Sequence, residues 1–147
     1  MAAFGGARGT TLLAYGTLLG GLLSEKYLGR PEPARAELTT ASLQKYKRMI
    51  DTWGGWALFQ QLLAVLKPIA DKYQVSIANV GVRYILDRPS VAGVIVGARL
   101  GVTEHIADNA RVFGFALDNA DHATIEPVLA KSRDLMTVIG DCGDEYR

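Results

Sequence analysis

Apolar residues recur at helical spacing through the middle of the chain. Ser76 is placed to cap one such helix, with apolar positions from Ile77 to Ile85, and Arg88-Pro89 should end it because the residue before proline avoids helical backbone. Pro68 should interrupt and kink the preceding helix. That preceding helix is the longest predicted, and its apolar stripe comprises Phe59, Leu62, Leu63, Leu66, Ile69, Ala70 and Tyr73.

Two short apolar runs have no helical period. Residues 11–15 stop at Gly16, and residues 91–96 stop at Gly97. Short continuous apolar runs bounded by glycine are typical of strands buried on both faces. Because helices separate them, they are predicted to pair in parallel as a βαβ unit. Two strands alone leave unpaired N–H and C=O groups at both edges, so the chain is predicted to be incomplete or to need a partner.

Polar capping residues predict three further helices around these elements. Residues 1–11 are interpreted as an irregular start, residues 12–133 as the folded segment and residues 134–147 as a tail that is polar and glycine-rich apart from residues 135–139. The candidate caps are Thr40 or Ser42 before Leu43, Tyr46 and Ile50, Thr103 before Ile106, Ala110 and Phe113, and Asp118 or Asn119 before Ile125, Val128 and Leu129.

Composition and charge narrow the classes of partner. Apolar residues make up 49% and charged residues 21%, which is the balance of a globular chain. Sixteen basic against fifteen acidic residues give a net charge of +1, so neither nucleic acid nor an anionic membrane is expected as a partner. Lys45, Lys47 and Arg48 around Tyr46 are expected to form a solvated helix face, with a binding patch as the alternative.

The single cysteine, Cys142, bears on compartment and metal binding. It excludes an intramolecular disulfide and a zinc site built on cysteine pairs. A reducing, cytoplasmic setting fits this usage. The uncharged stretch from 9 to 24 is shorter than the ~20 apolar residues that a membrane-spanning helix needs.

Three stretches resemble the aldo-keto reductase family. Residues 13–27 look like the seventh strand of its barrel and the following loop, whose usual form is an aromatic, Ser-Pro-Leu, Gly-x-Leu and Lys-Tyr. Residues 95–99 and 105–109 resemble the eighth strand, its phosphate loop and the next helix, and residues 69–78 the helix between the strands. The likeness covers about residues 10 to 133. It implies an α/β fold, as the C-terminal part of a (β/α)8 TIM barrel of the NADP-dependent oxidoreductase type.

The resemblance implies a role for each residue of the first stretch. Tyr15 matches the aromatic that stacks on the nicotinamide ring, where a flat π-face holds a flat ring at one distance. Gly16, Thr17 and Leu18 would lie against the pyrophosphate and ribose through backbone groups.

The second stretch would hold the adenosine end of the cofactor. Gly97 keeps the turn small, and the guanidinium of Arg99 suits a phosphate bidentately, which favours NADP over NAD. His105 could donate to a phosphate or be solvated, while Asp108 and Asn109 match the acidic residue and the adenine-reading residue. The helix that follows the phosphate loop could aim its N-terminus at the 2′-phosphate. This region is longer than usual by Leu100-Gly101.

The matched segment contains no counterpart of the family's catalytic residues. Reduction of a carbonyl to an alcohol uses a tyrosine acid with an aspartate, a lysine and a histidine, all on the early strands of the barrel. The neighbouring pairs Tyr46–Lys47 and Lys26–Tyr27 do not face each other on a helix. The chain alone is therefore expected to be inactive, with no catalytic or metal residue. A small-molecule carbonyl substrate is expected only if a second chain completes the barrel.

Two other functions remain open at this point. The chain could be a non-catalytic module that binds a nucleotide or a protein through its exposed strand edges, or a complete small α/β domain of an unrelated kind. Residues 37–66 and 140–147 resemble fungal-type members of the family, many of which belong to secondary-metabolite pathways. The substrate itself is not predicted, because the loops that shape it vary most.

Overall fold

The described part of the protein consists of one two-stranded sheet and a larger layer of helices. A computed structural model describes residues 9–98, 101 and 105–140. Short 3₁₀ turns connect several of the elements. In chain order the strands and helices are β1 (Leu12–Tyr15), α1 (Ala41–Trp53), α2 (Gly55–Tyr73), α3 (Ile77–Leu86), β2 (Val91–Ile95), α4 (Ile106–Ala110), α5 (Asn119–Leu129) and α6 (Leu135–Ile139).

The two strands pair in parallel, which confirms the predicted βαβ connection. Leu12 pairs with Val91 and Tyr15 with Ile95, with one irregularity in register directly after Leu12. One face of this sheet packs against α3. The helices α1 to α3 therefore form the crossover between two adjacent parallel strands.

The prediction that both strand faces are buried is wrong for the described residues. Leu13 is 65% exposed, Tyr15 61% and Ile95 56%. Burial alternates along β1, as it does in a strand with only one covered face. The difference arises because helices cover only one side of the sheet in the described part of the chain. An apolar sheet face remains uncovered.

Helix α2 supplies the largest share of the buried core and continues past its proline. The predicted interruption at Pro68 does not occur, since the helix continues to Tyr73. Pro68 and Ala64, four residues before it, are both exposed, so the carbonyl that loses its helical donor can bond to water. The largest fully buried side chains on and around this helix are Phe59, Leu22, Leu63, Ile77, Ile125 and Val80.

Three helices begin at the predicted caps. The side chain of Thr40 accepts a hydrogen bond from the Leu43 N–H at the start of α1, and that of Ser76 from the Asn79 N–H at the start of α3. Asp118 caps α5 in the same way. Each cap satisfies one of the N–H groups that the first turn of a helix leaves without a partner.

Two short helices differ from the sequence-based expectation. Helix α4 begins at Ile106, with His105 in the capping position but without a side-chain hydrogen bond, and the predicted cap Thr103 lies outside the described residues. Phe113, expected on its apolar stripe, is 79% exposed. Helix α6 lies in the segment predicted as tail and packs on α1. It is capped by Asp134 and was missed because five residues carry no readable period.

A buried carboxylate joins α2 to α5. Asp121 is 4% exposed and accepts hydrogen bonds from the Tyr73 hydroxyl at 2.6 Å, Lys72 Nζ at 2.9 Å and the Asp118 N–H at 3.0 Å. Burial raises the pKa of the Asp121 carboxyl, but these hydrogen bonds outweigh it and leave the pKa below its usual value. The Lys72 ammonium lowers the pKa of the exposed Asp118 to about 2.

Replacing this carboxylate should weaken the helical layer in a pH-dependent way. We expect Asp121→Asn to lower the free energy of unfolding by roughly 1–3 kcal/mol at pH 7, because charged hydrogen bonds are lost in a buried place. The folded pKa lies below the unfolded value of about 3.9, so the contribution is complete well above that pH and is lost as pH falls below it. Urea unfolding at pH 7 and pH 3 should show the gap between variant and wild type shrinking in acid. A constant gap would contradict the assignment.

Candidate cofactor-binding site

The carboxyl ends of the two strands lie side by side. Because Tyr15 pairs with Ile95, the segments 16–18 and 96–98 leave the sheet at the same edge. The Tyr15 ring projects on the sheet face that no described helix covers. The parallel pairing of the strands therefore brings the two segments together at one edge. We call this edge the rim.

The loop after β1 turns sharply at the rim. Gly16 has a φ of +75° and Leu19 a φ of +50°, which turn the chain sharply. The Leu19 N–H donates to the Gly16 carbonyl at 2.9 Å, and the Gly21 N–H to the Leu18 carbonyl at 2.8 Å. Among the described residues, no acceptor is found for the N–H of Thr17 or Leu18. Successive N–H groups in such a turn suit an anionic oxygen.

The Thr17 side chain does not point to the rim. It lines an apolar cavity of about 330 Å³ behind the loop, together with Leu19, Leu23 and side chains of α1, α2 and α3. Its hydroxyl oxygen is buried there and has no hydrogen-bond partner within the described part of the chain. Any contribution of Thr17 at the rim would therefore come from its backbone, as the sequence predicts.

Helix α1 brings two residues to the rim that the sequence analysis did not assign to it. Lys45 Nζ lies 5.9 Å from the centroid of the Tyr15 ring and 5.3 Å from that of the Tyr46 ring. The Tyr46 ring packs on Gly16, where its Cζ would lie 3.0 Å from a Cβ and its hydroxyl closer still. Nothing in the sequence spacing brings positions 15 and 45 together, so this contact could only be found in the structure.

The prediction that Lys47 belongs to a solvated helix face around Tyr46 is wrong. This side chain is 6% exposed and bonds to Glu32 and Asp51, both at 2.6 Å. Burial lowers the pKa of the Lys47 ammonium, but the hydrogen bonds to Asp51 and Glu32 more than compensate and raise it. Lys47 thus ties α1 to the loop before it, and its charge is used within the fold. A solvated lysine was expected because sequence spacing does not show the distant Glu32.

Only some of the residues that follow β2 belong to the described part of the chain. Arg99 lies outside the described residues, as do 100 and 102–104. Gly97 is exposed, and a Cβ there would meet no atom within 4 Å in the described part of the chain. The described neighbours therefore give no steric reason for glycine at this position.

Helix α4 is held against α3. The Ser76 hydroxyl donates to Asp108 Oδ2 at 3.0 Å, and Arg111 lies 3.6 Å from the other carboxylate oxygen. The Asn109 N–H donates to the His105 carbonyl at 2.7 Å, while the His105 side chain is exposed. With five residues, α4 is too short to offer a substantial N-terminal dipole, which weakens the predicted contribution of its N-terminus.

Comparison with known proteins decides the family. A family model described as Aldo/keto reductase family matches residues 1–130. The chain belongs to the aldo/keto reductase family. It is also 43% identical over 81 residues to Flagellar radial spoke protein 5 of Chlamydomonas reinhardtii, a match that covers 54% of this chain and 15% of that protein. The matched segment is therefore a small part of this relative's length.

Membership of the aldo/keto reductase family accounts for the uncovered sheet face. A barrel of this kind has eight parallel strands inside a ring of helices, so the face opposite the helices points to the barrel interior. The described residues contain two such strands and are otherwise mostly helical, in keeping with a partial α/β unit. They contain no helix long and apolar enough to cross a membrane, and no group of three or more residues suited to holding a metal ion.

Gly16 should be the glycine of the rim loop that is most sensitive to substitution. Gly16→Ala and Gly21→Ala both place a side chain at positive φ, which costs about 1 kcal/mol or more. Only at position 16 would the added Cβ also meet the Tyr46 ring, whereas at position 21 it meets no atom within 4 Å. We expect Gly16→Ala to lower the melting temperature clearly more than Gly21→Ala. Equal losses would argue against the packing of Tyr46 on this loop.

Proposed function

We propose that this chain is the C-terminal part of an NADP-dependent aldo/keto reductase, with β1 and β2 as strands seven and eight of the barrel. The observation that carries the proposal is the parallel pairing of Tyr15 with Ile95. It gives the two strand ends a common rim, at the end of the barrel where enzymes of this architecture place their sites. The chain would supply the cofactor-binding part of the enzyme.

The rim offers groups that fit the nicotinamide half of the cofactor. Bound NADPH would supply a hydride to a carbonyl carbon, which yields an alcohol once the oxygen gains a proton. The exposed Tyr15 ring would stack on the nicotinamide and hold it at a fixed distance. The N–H groups of Thr17 and Leu18 would donate to the pyrophosphate, and Gly16 lets the chain turn there. The fit rests on these two N–H groups, because successive N–H groups without an acceptor suit an anionic oxygen.

The adenosine half is assigned from the family pattern. Arg99 would bind the 2′-phosphate and so select NADP over NAD, and Gly97 would keep the turn before it small. His105 would donate to the same phosphate, while Asn109 would read the adenine edge with the acidic Asp108 beside it. The hydrogen bond from Ser76 to Asp108 supports a fixed position for this end of α4.

Carbonyl chemistry would require residues from outside this sequence. No residue of this chain is assigned as the proton donor, and the tyrosine, aspartate, lysine and histidine of the family would come from strands one to six. The substrate would be a small carbonyl compound held between the two parts, in the cytoplasm.

A second function is favoured by the uncovered sheet face. Leu13, Tyr15 and Ile95 are all more than half exposed and lie on one side of the sheet. Large exposed apolar groups that cluster together mark sites of protein contact. The similarity to a protein named as a flagellar radial spoke component suggests that such a segment can also serve in a protein assembly without catalysis.

Cofactor stacking is tested by changing the exposed ring. We expect NADPH to bind the chain and Tyr15→Ala to weaken binding about two- to tenfold, because stacked aromatic contacts contribute roughly 0.5–1.5 kcal/mol. Tyr15→Phe keeps the ring and should bind as the wild type does. Titration followed by NADPH fluorescence measures all three. If the wild type does not bind, or if Tyr15→Ala binds equally well, the cofactor site is refuted.

Completion of the barrel is tested by mixing. The chain alone should not oxidise NADPH in the presence of an aldehyde. Adding a polypeptide with strands one to six of a related aldo/keto reductase should restore the oxidation, and the same polypeptide without its catalytic tyrosine should not. Activity of the chain alone would contradict the proposal. Association without NADPH binding would favour the protein-contact function.

A further inference from the structure

We infer that the apolar cavity behind the rim loop binds an uncharged small molecule that has an apolar body and one hydrogen-bonding group. The cavity has a volume of about 330 Å³ and is partly open to solvent, so a ligand can enter it. None of Leu13, Tyr15 and Ile95 lines it, so it is separate from the uncovered sheet face. The inference does not depend on the proposed cofactor site.

The first step is the size of the cavity. Protein interiors are closely packed, and gaps larger than a water molecule are few. An apolar cavity of about 150 Å³ already stays dry and binds benzene, and pockets for small molecules begin at about 300 Å³. The cavity behind the rim loop therefore has room for a molecule roughly twice the size of benzene.

The wall of the cavity leaves this space open. Gly81 on α3 contributes no side chain to the wall, and a Cβ there would collide with Leu23. Met49 on α1 lines the cavity with an unbranched thioether chain, which can adjust to the shape of an occupant. The wall can therefore adapt to a ligand without a change in the helices.

The second step is the chemistry of the wall. Among the described residues, no lysine, arginine, histidine, aspartate or glutamate lines the cavity. A charged ligand would lose its hydration there without gaining a partner, at a large cost in free energy. The Tyr84 hydroxyl belongs to a lining residue but already donates to Glu126 at 2.6 Å. The ligand that fits is therefore uncharged and mostly apolar.

The third step is a hydroxyl that the fold leaves unused. Thr17 lines the cavity, and its buried Oγ1 has no hydrogen-bond partner in the part of the chain that the structure describes. A buried hydroxyl without a partner is unfavourable. A threonine hydroxyl can occupy staggered positions about χ1, and this one breaks no hydrogen bond when it turns. It can therefore turn to meet one polar atom of a ligand in the cavity.

The test uses two probes that differ in one group. 2-Naphthol carries a hydroxyl, whereas 2-methylnaphthalene has the same rings and no hydrogen-bonding group. We expect both to bind the wild type. Thr17→Val should weaken 2-naphthol binding about two- to tenfold, the size of one neutral hydrogen bond, and leave 2-methylnaphthalene binding unchanged. Thr124→Val is the matched control, because it removes the same group from an exposed position on α5. Isothermal titration calorimetry measures each Kd.

A variant that fills the cavity locates the binding. Leu62 lines the cavity and is only partly buried, so Leu62→Trp should occupy the space and abolish binding of both probes. Circular dichroism shows whether this variant keeps its fold, and the smaller change Leu62→Phe replaces it if it does not. The anion 2-naphthoate should bind the wild type far more weakly than 2-naphthol, because its charge finds no partner.

Three results would overturn the inference. The site is refuted if the wild type binds neither probe, or if a folded cavity-filling variant binds both as the wild type does. Equal binding of 2-naphthol by Thr17→Val and the wild type would refute the role of the hydroxyl. Tight binding of 2-naphthoate would refute the uncharged class of ligand. NADPH titration of the same wild-type chain tests the cofactor site separately, so a failure of one is distinguishable from a failure of the other.

Discussion

The backbone pairing of β1 with β2 holds together the two ends of a long crossover. The ladder extends over Leu12–Tyr15 and is continued by the bond from the Leu12 N–H to the Ser90 carbonyl at 2.8 Å. Each such bond contributes only about 0.5–1.5 kcal/mol net. Ordering the residues of the intervening crossover costs about 1–2 kcal/mol of conformational entropy for each residue, which the ladder alone does not offset. The pairing therefore depends on apolar burial between α2, α3 and α5, which keeps the strand ends together.

The same core fixes the shape of the rim. Leu22 and Leu23 follow the rim loop directly and are buried in the core at 0% and 6% exposure. A Cβ at Gly81 on α3 would collide with the Leu23 side chain, so this glycine makes room for the anchor. The loop is thus held at one end by β1 and at the other by two leucines. Among the described residues, the N–H groups of Thr17 and Leu18 in this loop have no acceptor.

Local patterns predicted the elements whose causes are local. The caps at Thr40, Ser76 and Asp118 follow from residues close together in sequence, and the parallel pairing was predicted from the order of strands and helices along the chain. The exposure of the sheet face could not be predicted, because burial depends on what packs against it. The burial of Lys47 and the place of Lys45 beside Tyr15 depend on loops that bring distant residues together. The cofactor roles were assigned by resemblance and remain predictions.

Tyr15 belongs at once to the apolar sheet face and to the rim, so the two proposed functions cannot be independent. A partner that covers Leu13 and Ile95 gains roughly 25 cal/mol for each Å² of apolar surface buried. If the partner is the remainder of a barrel, burial of Leu13 and Ile95 leaves the Tyr15 ring exposed at the rim, where a nicotinamide can stack on it. If it is a different protein that lies across the whole face, the Tyr15 ring is buried in the interface and cannot stack on a nicotinamide. The shape of the covering partner therefore decides between cofactor binding and assembly.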